Sequence, residues 1–164
     1  ETPPSRAGAV PAIALVAVGP DPRALPLVYL AAVTPTLCAI DAVERRLPNS
    51  LVLPGYLVAA AGIVAHWIVS GEFSTVAVVS GVLYFVVMLA FAVAGGMGMG
   101  AVKLAGVLGL SAGLVSATAA VVSPLVAFVL GGIAAIGALR GGRGAGIPFG
   151  PFLLAGFWVA VVVG

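Results

Sequence analysis

Asp41 is the residue whose type and position point most directly to chemistry. It lies near the end of a strongly apolar segment, in the sequence CAIDAVERRLPN. A carboxylate so close to the hydrocarbon of a membrane is energetically costly, and such residues usually serve a function. The alternative is an interfacial acid that is paired with Arg45 or solvated by water, and position alone leaves both interpretations open. We expect Glu44, which lies beside Arg45 and Arg46, to belong to a solvated charge cluster.

A glycine-rich stretch, residues 95–104 (GGMGMGAVKL), is the second unusual feature. Each glycine in a helix interior costs about 0.5–1 kcal/mol relative to alanine, so the stretch predicts a break between two helices. We expect Gly98 and Gly100 to permit close backbone approach and helix packing. Lys103 has two possible interpretations. It either acts at the site, by orienting a substrate carbonyl or changing the acidity of the aspartate, or it is only a basic residue that marks the cytoplasmic side. The free N–H groups at the start of the next helix add partial positive charge.

Composition places these residues in a membrane protein. The chain is 62% hydrophobic and 7% charged, with a mean hydropathy of +1.28, whereas soluble domains carry about 25% charged residues. So much apolar sequence cannot be buried in a water-soluble core of this size, and we predict an integral membrane protein. The net charge of +2 gives no reason to expect a nucleic-acid partner. The single cysteine, Cys38, excludes an intrachain disulfide and a zinc site built from several cysteines.

The apolar segments predict an all-α, polytopic fold in which residues 25–164 form a transmembrane domain. Residues 1–24 are an N-terminal tail with a short apolar segment, residues 7–19. That segment rises only about 20 Å as a helix, against a hydrocarbon core of about 30 Å. It is therefore either a short or tilted first helix or the apolar region of a signal peptide. The six stronger predicted spans are residues 25–44, 51–69, 74–94, 101–120, 123–139 and 149–163.

Prolines suggest where two of the connections lie. Pro48 and Pro54 punctuate the first connection, because proline disfavours helix at the residue before it. A second connection is predicted at residues 121–124 (VVSP). Pro124 then falls in the first turn of the fifth span, where its missing N–H is no loss.

Charge predicts the orientation of these spans. With six alternating spans, five basic residues fall on one side of the membrane: Arg45, Arg46, Lys103, Arg140 and Arg143. Glu72 falls on the other side, so the positive-inside rule makes the first side cytoplasmic. Asp41 and the glycine-rich stretch lie on that same face. We therefore predict a site there that contains Asp41, Lys103 and the free N–H groups of a helix start.

Three stretches carry a family resemblance. Residues 41–51 (DAVERRLPNSL), followed by LPG at 53–55, resemble the first motif of the type IV prepilin leader peptidases, which is an aspartate, a short basic stretch, Pro-Asn and a leucine. Residues 98–104 (GMGAVKL) resemble the second motif, G-x-G-D-x-K-L. Residues 146–152 (GIPFGPF) resemble the closing signature before the last span. The wider similarity is to the GxGD intramembrane aspartyl proteases.

The resemblance implies a specific activity. Family members are multi-pass enzymes of the prokaryotic inner (plasma) membrane, and they cut the basic leader from prepilins and pseudopilins at the cytoplasmic face. The expected partners are therefore the substrate's leader and hydrophobic helix, together with the lipid bilayer, and no cofactor or metal is expected. Of the family's two catalytic aspartates, one corresponds to Asp41 and the other to the position of Ala101. Pro48 and Asn49 are expected to shape the turn behind Asp41, while Gly98, Gly100 and Lys103 support the site.

Ala101 is the main departure from the family pattern. In aspartic proteases two close carboxylates share a proton. One activates water as a general base, and the other polarises the scissile carbonyl. Alanine can do neither, so we expect the chain as written to be close to inactive. The substitution is either engineered, or it marks a natural pseudoenzyme that binds prepilins without cutting them.

Two further expectations concern neighbouring functions. Longer family members carry a cysteine-bearing insert associated with N-methylation of the product. This chain has one cysteine, so we expect the short form, similar to peptidases of Flp/Tad-type pilus systems, without a methyltransferase role. The rival hypothesis is a small proton- or cation-coupled transporter that uses Asp41. A transporter should show polar groups on broken helices at the membrane midplane, whereas here the midplane positions are apolar.

Overall fold

The structure is a computed structural model that describes residues 21–44, 46–95, 97–140 and 148–164. The predicted N-terminal segment 7–19, together with Arg45, Gly96 and residues 141–147, lies outside this part of the chain. Every regular element that is described is an α-helix. The helices are α1 (Ala24–Glu44), α2 (Asn49–Ser70), α3 (Thr75–Val93), α4 (Met99–Val115), α5 (Ala117–Arg140) and α6 (Gly150–Val163).

The helices fall into two classes of length. Four are long and apolar enough to cross a membrane, namely α1, α2, α3 and residues Ala117–Ala138 of α5. The other two, α4 and α6, are apolar but only 17 and 14 residues long. The all-α, multi-pass prediction is thus confirmed. The six strong spans are represented by four helices of spanning length and two shorter ones.

Helix α4 lies at the centre of the bundle. It packs against α2, α3, α5 and α6, and twelve of its 17 residues are buried. A helix that is apolar on all sides is stable when other helices surround it. The outer helices, by contrast, leave large apolar side chains such as Leu57, Leu83 and Leu125 exposed, as expected where lipid is the solvent.

Small residues let α3 approach α4 closely. A Cβ atom added to Gly109 would lie 2.7 Å from the backbone oxygen of Ser80 and 2.8 Å from the Cα of Gly81. The hydroxyl of Ser80 also donates a hydrogen bond of 2.7 Å to the Gly109 carbonyl. Close packing and interhelical hydrogen bonds of this kind hold helices together in a bilayer, where no hydrophobic effect drives them to associate.

Helix α1 lies between α2 and α6. The hydroxyl of Tyr29 on α1 donates a hydrogen bond to the carbonyl of Leu51 on α2. On the other side, the indole N–H of Trp158 on α6 donates to the hydroxyl of Thr34, 3.1 Å away. Together with the contact between Asp41, in the last turn of α1, and Gly150, the first residue of α6, the Thr34–Trp158 contact shows that α6 runs antiparallel to α1.

The connection between the fourth and fifth helices was predicted at the wrong place. It is Ser116, not residues 121–124, that separates α4 from α5, with an extended backbone (φ −165°, ψ 161°). The Ser116 hydroxyl accepts a hydrogen bond from the N–H of Ala119, 2.9 Å away, and so caps the start of α5. Pro124 therefore lies inside α5 rather than in its first turn, which membrane helices tolerate because neighbouring groups satisfy the freed backbone.

Pro54 was also assigned wrongly. It lies inside α2, whereas Pro48 immediately precedes that helix and has an extended backbone (φ −69°, ψ 128°). The carbonyl of Pro48 accepts the first helical hydrogen bonds, from Leu51 and Val52 at 3.1 and 3.2 Å. One proline thus starts the helix, and the other removes a single internal hydrogen bond from it.

Replacing Gly109 by alanine should destabilise the bundle. The added methyl group would meet backbone atoms of α3 that cannot rotate away, and overpacking of this kind costs about 1–3 kcal/mol. We expect a lower midpoint of thermal unfolding in detergent. Gly132→Ala on α5 is the matched control, because a Cβ added there meets none of the described residues within 4 Å. Equal midpoints for the two variants would contradict the close α3–α4 contact.

Candidate active site

Five helix ends meet around one cavity. They are the ends of α1 and α3 and the starts of α2, α4 and α6. The cavity has a volume of about 560 Å³ and opens at this end of the bundle. It is lined by Asp41, Arg46, Leu47, Asn49, Gly95, residues 97–101, Lys103, Pro148 and Phe149. All seven site residues predicted from the sequence lie in or next to it, with Pro48 between two lining residues.

Asp41 is held by the start of the last helix. Its side chain is only 5% exposed, and Oδ2 accepts a hydrogen bond of 2.8 Å from the backbone N–H of Gly150. Gly150 is the first residue of α6, where N–H groups have no partner within the helix and carry partial positive charge. The buried carboxylate is thus paired with a helix terminus. The alternative partner considered above, Arg45, lies outside the described residues.

Gly150 contacts Asp41, a contact that the sequence did not reveal although Gly150 lies within the closing signature at residues 146–152. A Cβ atom added to it would lie 2.7 Å from Oδ2 of Asp41, so any side chain there would displace the carboxylate. The two residues are 109 positions apart, and no local pattern links them. The available signal was Pro151 directly after Gly150, because proline is common in the first turn of a helix.

Ala101 lines the same cavity as Asp41 and lies in the first turn of α4. Its N–H bonds to the carbonyl of Gly98, 3.1 Å away, and the residue is 7% exposed. Negative charge is favoured in the first turn of a helix. A carboxylate at position 101 would therefore be stabilised by the start of α4, just as the Asp41 carboxylate is by the start of α6.

The two glycines of the second motif differ in their surroundings. A Cβ atom added to Gly100 would lie 2.8 Å from the Cβ of Leu47 and 3.1 Å from its backbone nitrogen. The α1–α2 connection therefore rests directly on the start of α4. The close approach that we also expected at Gly98 is not seen within the described part of the chain, where nothing lies within 4 Å of a Cβ added there. Gly98 instead lines the open cavity as the residue that precedes α4.

Lys103 joins α4 to α2. Its Nζ donates a hydrogen bond of 3.0 Å to the side-chain oxygen of Asn49, and Tyr56 on α2 donates one of 2.8 Å to the Lys103 carbonyl. The described residues form one ion pair, Arg23–Asp21 at the other end of α1, so Lys103 has no acidic partner among them. Lys103 thus contributes an ammonium group to the cavity wall while Asn49 fixes its position.

The cavity combines few chemical groups. It offers one buried carboxylate, an ammonium and a guanidinium group, an amide, the free N–H groups of a helix start, and apolar surface from Met97, Met99 and Phe149. The described part of the chain brings no three His, Cys, Asp or Glu side chains together in the manner of a metal site.

The fold and the site define a multi-pass helical membrane protein with a buried aspartate at one end of the bundle. The sequence model of the type IV leader peptidase family matches residues 28–138, more than half of the chain. The protein belongs to that family. The matched region contains Asp41 and the glycine-rich stretch, but it ends before Gly150. Neither the curated proteins nor the solved structures gave a match.

The hydrogen bond between Asp41 and Gly150 predicts a difference between two substitutions. Asp41→Asn keeps an oxygen that can accept from the Gly150 N–H, whereas Asp41→Leu leaves that buried N–H without a partner. An unsatisfied buried group costs about 1–3 kcal/mol. Thermal unfolding in detergent should therefore show a clearly lower midpoint for Asp41→Leu than for Asp41→Asn. If the two variants unfold at the same temperature, the contact does not hold α6 in place.

Proposed function

We propose that this chain has the framework of an aspartic endopeptidase that cuts the basic leader from type IV prepilins or pseudopilins. One observation supports this most strongly: buried Asp41 and Ala101, at the family's second catalytic position, line the same cavity. Membership of the leader peptidase family supports the same substrate class. Because Ala101 provides no carboxylate, the chain as written binds its substrate without hydrolysing the peptide bond.

The reaction of the aspartate-restored protein follows from ordinary acid–base chemistry. With carboxylates at positions 41 and 101, one removes a proton from a water molecule as that water attacks the scissile carbonyl carbon. The other, protonated, donates a hydrogen bond to the carbonyl oxygen. The Gly150 N–H keeps the Asp41 carboxylate oriented, and Lys103, fixed by Asn49, lies at the wall where the peptide backbone would bind.

We propose further that all six helices cross the inner membrane, with the cavity on the cytoplasmic side. Contacts at both ends of the bundle support this, since α6 runs from Asp41 at its start to the vicinity of Ala119 at its end. Arg46, Lys103 and Arg140 lie at the cavity end, and Glu72 follows the opposite end of α2. The positive-inside rule then assigns the cavity to the cytoplasm.

Two other functions remain outcomes of the test. A natural pseudoenzyme would bind prepilins permanently without cutting them, and Ala101 itself is the observation that favours it. A transporter that uses Asp41 is less well supported. Asp41 lies in the last turn of α1 and bonds to the start of α6, near the end of the bundle rather than at its middle.

Restoring the second carboxylate should create activity. We expect Ala101→Asp to cleave a prepilin in liposomes after the glycine that precedes the hydrophobic helix, while the chain with Ala101 leaves the prepilin intact. Mass spectrometry of the released leader measures the reaction and locates the cut. General acid–base groups contribute about 10²–10⁴-fold to rate, so adding Asp41→Asn to Ala101→Asp should remove most of the gain.

Ala101→Asn is the matched control, because it has nearly the shape of aspartate but cannot share a proton. No cleavage by Ala101→Asp, under conditions where another leader peptidase cuts the same prepilin, would overturn the enzyme proposal. Prepilin binding without cleavage would then identify a pseudoenzyme. Proton uptake into the liposomes that depends on Asp41 would identify a transporter.

A further inference from the structure

A second groove lies between α3 and α5, on the surface of the bundle. Its volume is about 560 Å³, and its lining is almost entirely apolar. It extends from the starts of both helices, at Thr75 and Ala117, towards the end where the active-site cavity lies. Its walls include Val79, Leu83 and Val87 on α3, and Val121, Leu125 and Phe128 on α5.

The shape of this groove suits a helix. The wall residues of α3 recur every four positions, so they form a continuous ridge along one face of that helix. The stretch from residue 75 to residue 87 is about 18 Å long at 1.5 Å per residue. Leu83 is 61% exposed and Leu125 is 59% exposed, so both walls open towards the surrounding bilayer.

The floor of the groove contains an unusual polar group. Tyr84 lines the groove and is only 4% exposed. The Tyr84 hydroxyl and the hydroxyl of Ser123 on α5 are both buried inside the bundle, and the two groups lie close to each other. Buried polar groups in proteins are nearly always paired, and these two belong to the packing between α3 and α5 beneath the groove.

The inner end of the groove lies next to the active-site cavity. Phe128 forms its inner end and packs against Phe149, with ring centroids 6.0 Å apart. Phe149 in turn lines the cavity that contains Asp41 and Ala101. Phe91 on α3 contacts Phe128 at 5.3 Å and closes the groove at this level. The inner end of the groove and the active-site cavity therefore lie on either side of the Phe128–Phe149 pair.

We propose that the α3–α5 groove docks the apolar helix of the substrate, with the leader end of that helix at Phe128. Because both α3 and α5 run towards the cavity, the substrate helix lies antiparallel to them and continues outward. The peptide bond before the helix then enters the cavity beside Asp41. A lipid acyl chain also fits an apolar groove, but nothing about it requires a groove that ends at the active site. This docking rests on the function proposed above, since that function supplies the substrate.

Photocrosslinking of the chain with Ala101 tests the docking without requiring cleavage. A benzophenone amino acid replaces Leu83 in one protein and Val82 in the control. Val82 is similarly exposed, at 58%, but does not line the groove. The probe is a synthetic peptide with a short basic leader, a glycine and an apolar helix of about 20 residues, reconstituted with the protein in phospholipid vesicles.

We expect the Leu83 position to crosslink to the peptide's helix several-fold more than the Val82 position. Four results would each overturn the proposal: equal yields at the two positions, no peptide adduct, adducts to lipid alone, or adducts to a second copy of the chain. A second measurement uses the Ala101→Asp background. There, Leu83→Trp should raise KM for the same peptide several-fold relative to Val82→Trp, at equal unfolding temperatures, and equal KM values would contradict docking in the groove.

The two proposals can fail separately. If the peptide crosslinks at Leu83 but Ala101→Asp does not cut it, the docking stands and the peptidase function fails. If Ala101→Asp cuts the peptide but crosslinks form equally at both positions, the function stands and the docking fails.

Discussion

The hydrogen bond from the Gly150 N–H to the Asp41 carboxylate is the contact on which the site depends. A carboxylate buried at the edge of a membrane is stable only when it is well paired. Here its partner is the free N–H of a helix start, 2.8 Å away. This contact also fixes where α6 begins, and therefore places Pro148 and Phe149 in the cavity wall. Glycine at position 150 leaves room for the carboxylate where it lies, because a Cβ atom there would be 2.7 Å from Oδ2 of Asp41 and the carboxylate would have to shift.

Helix α4 provides the opposite wall of the site. Its close contacts with α3 at Gly109, and with the α1–α2 connection at Gly100, hold its first turn against the cavity. The hydrogen bond between Lys103 and Asn49 adds a link to α2. These contacts hold Ala101 buried at the cavity. An aspartate at position 101, as in the proposed active enzyme, would begin from these same surroundings.

The sequence was sufficient to predict an all-helical membrane protein and a break between two helices in the glycine-rich stretch. The site around Asp41 stays a prediction, and the residues predicted for it lie in or next to one cavity. The sequence could not predict contacts between distant residues, such as those of Gly150 with Asp41 and of Lys103 with Asn49, because no local pattern encodes them. The α4–α5 boundary was misplaced because Pro124 suggested a helix start. In a membrane bundle both the core and the lipid-facing surface are apolar, so hydropathy does not mark a one-residue break such as Ser116.

The account depends on positions 41 and 101 lining one cavity, and thiol crosslinking tests this most directly. In a Cys38→Ala background, Asp41→Cys and Ala101→Cys together should be joined efficiently by a short bis-maleimide in native membranes. The positive control is Asn49→Cys with Lys103→Cys, whose native side chains are 3.0 Å apart. The negative control, Asp41→Cys with Glu72→Cys, spans the bundle. Crosslinking of the positive control but not of the 41–101 pair would contradict a shared site.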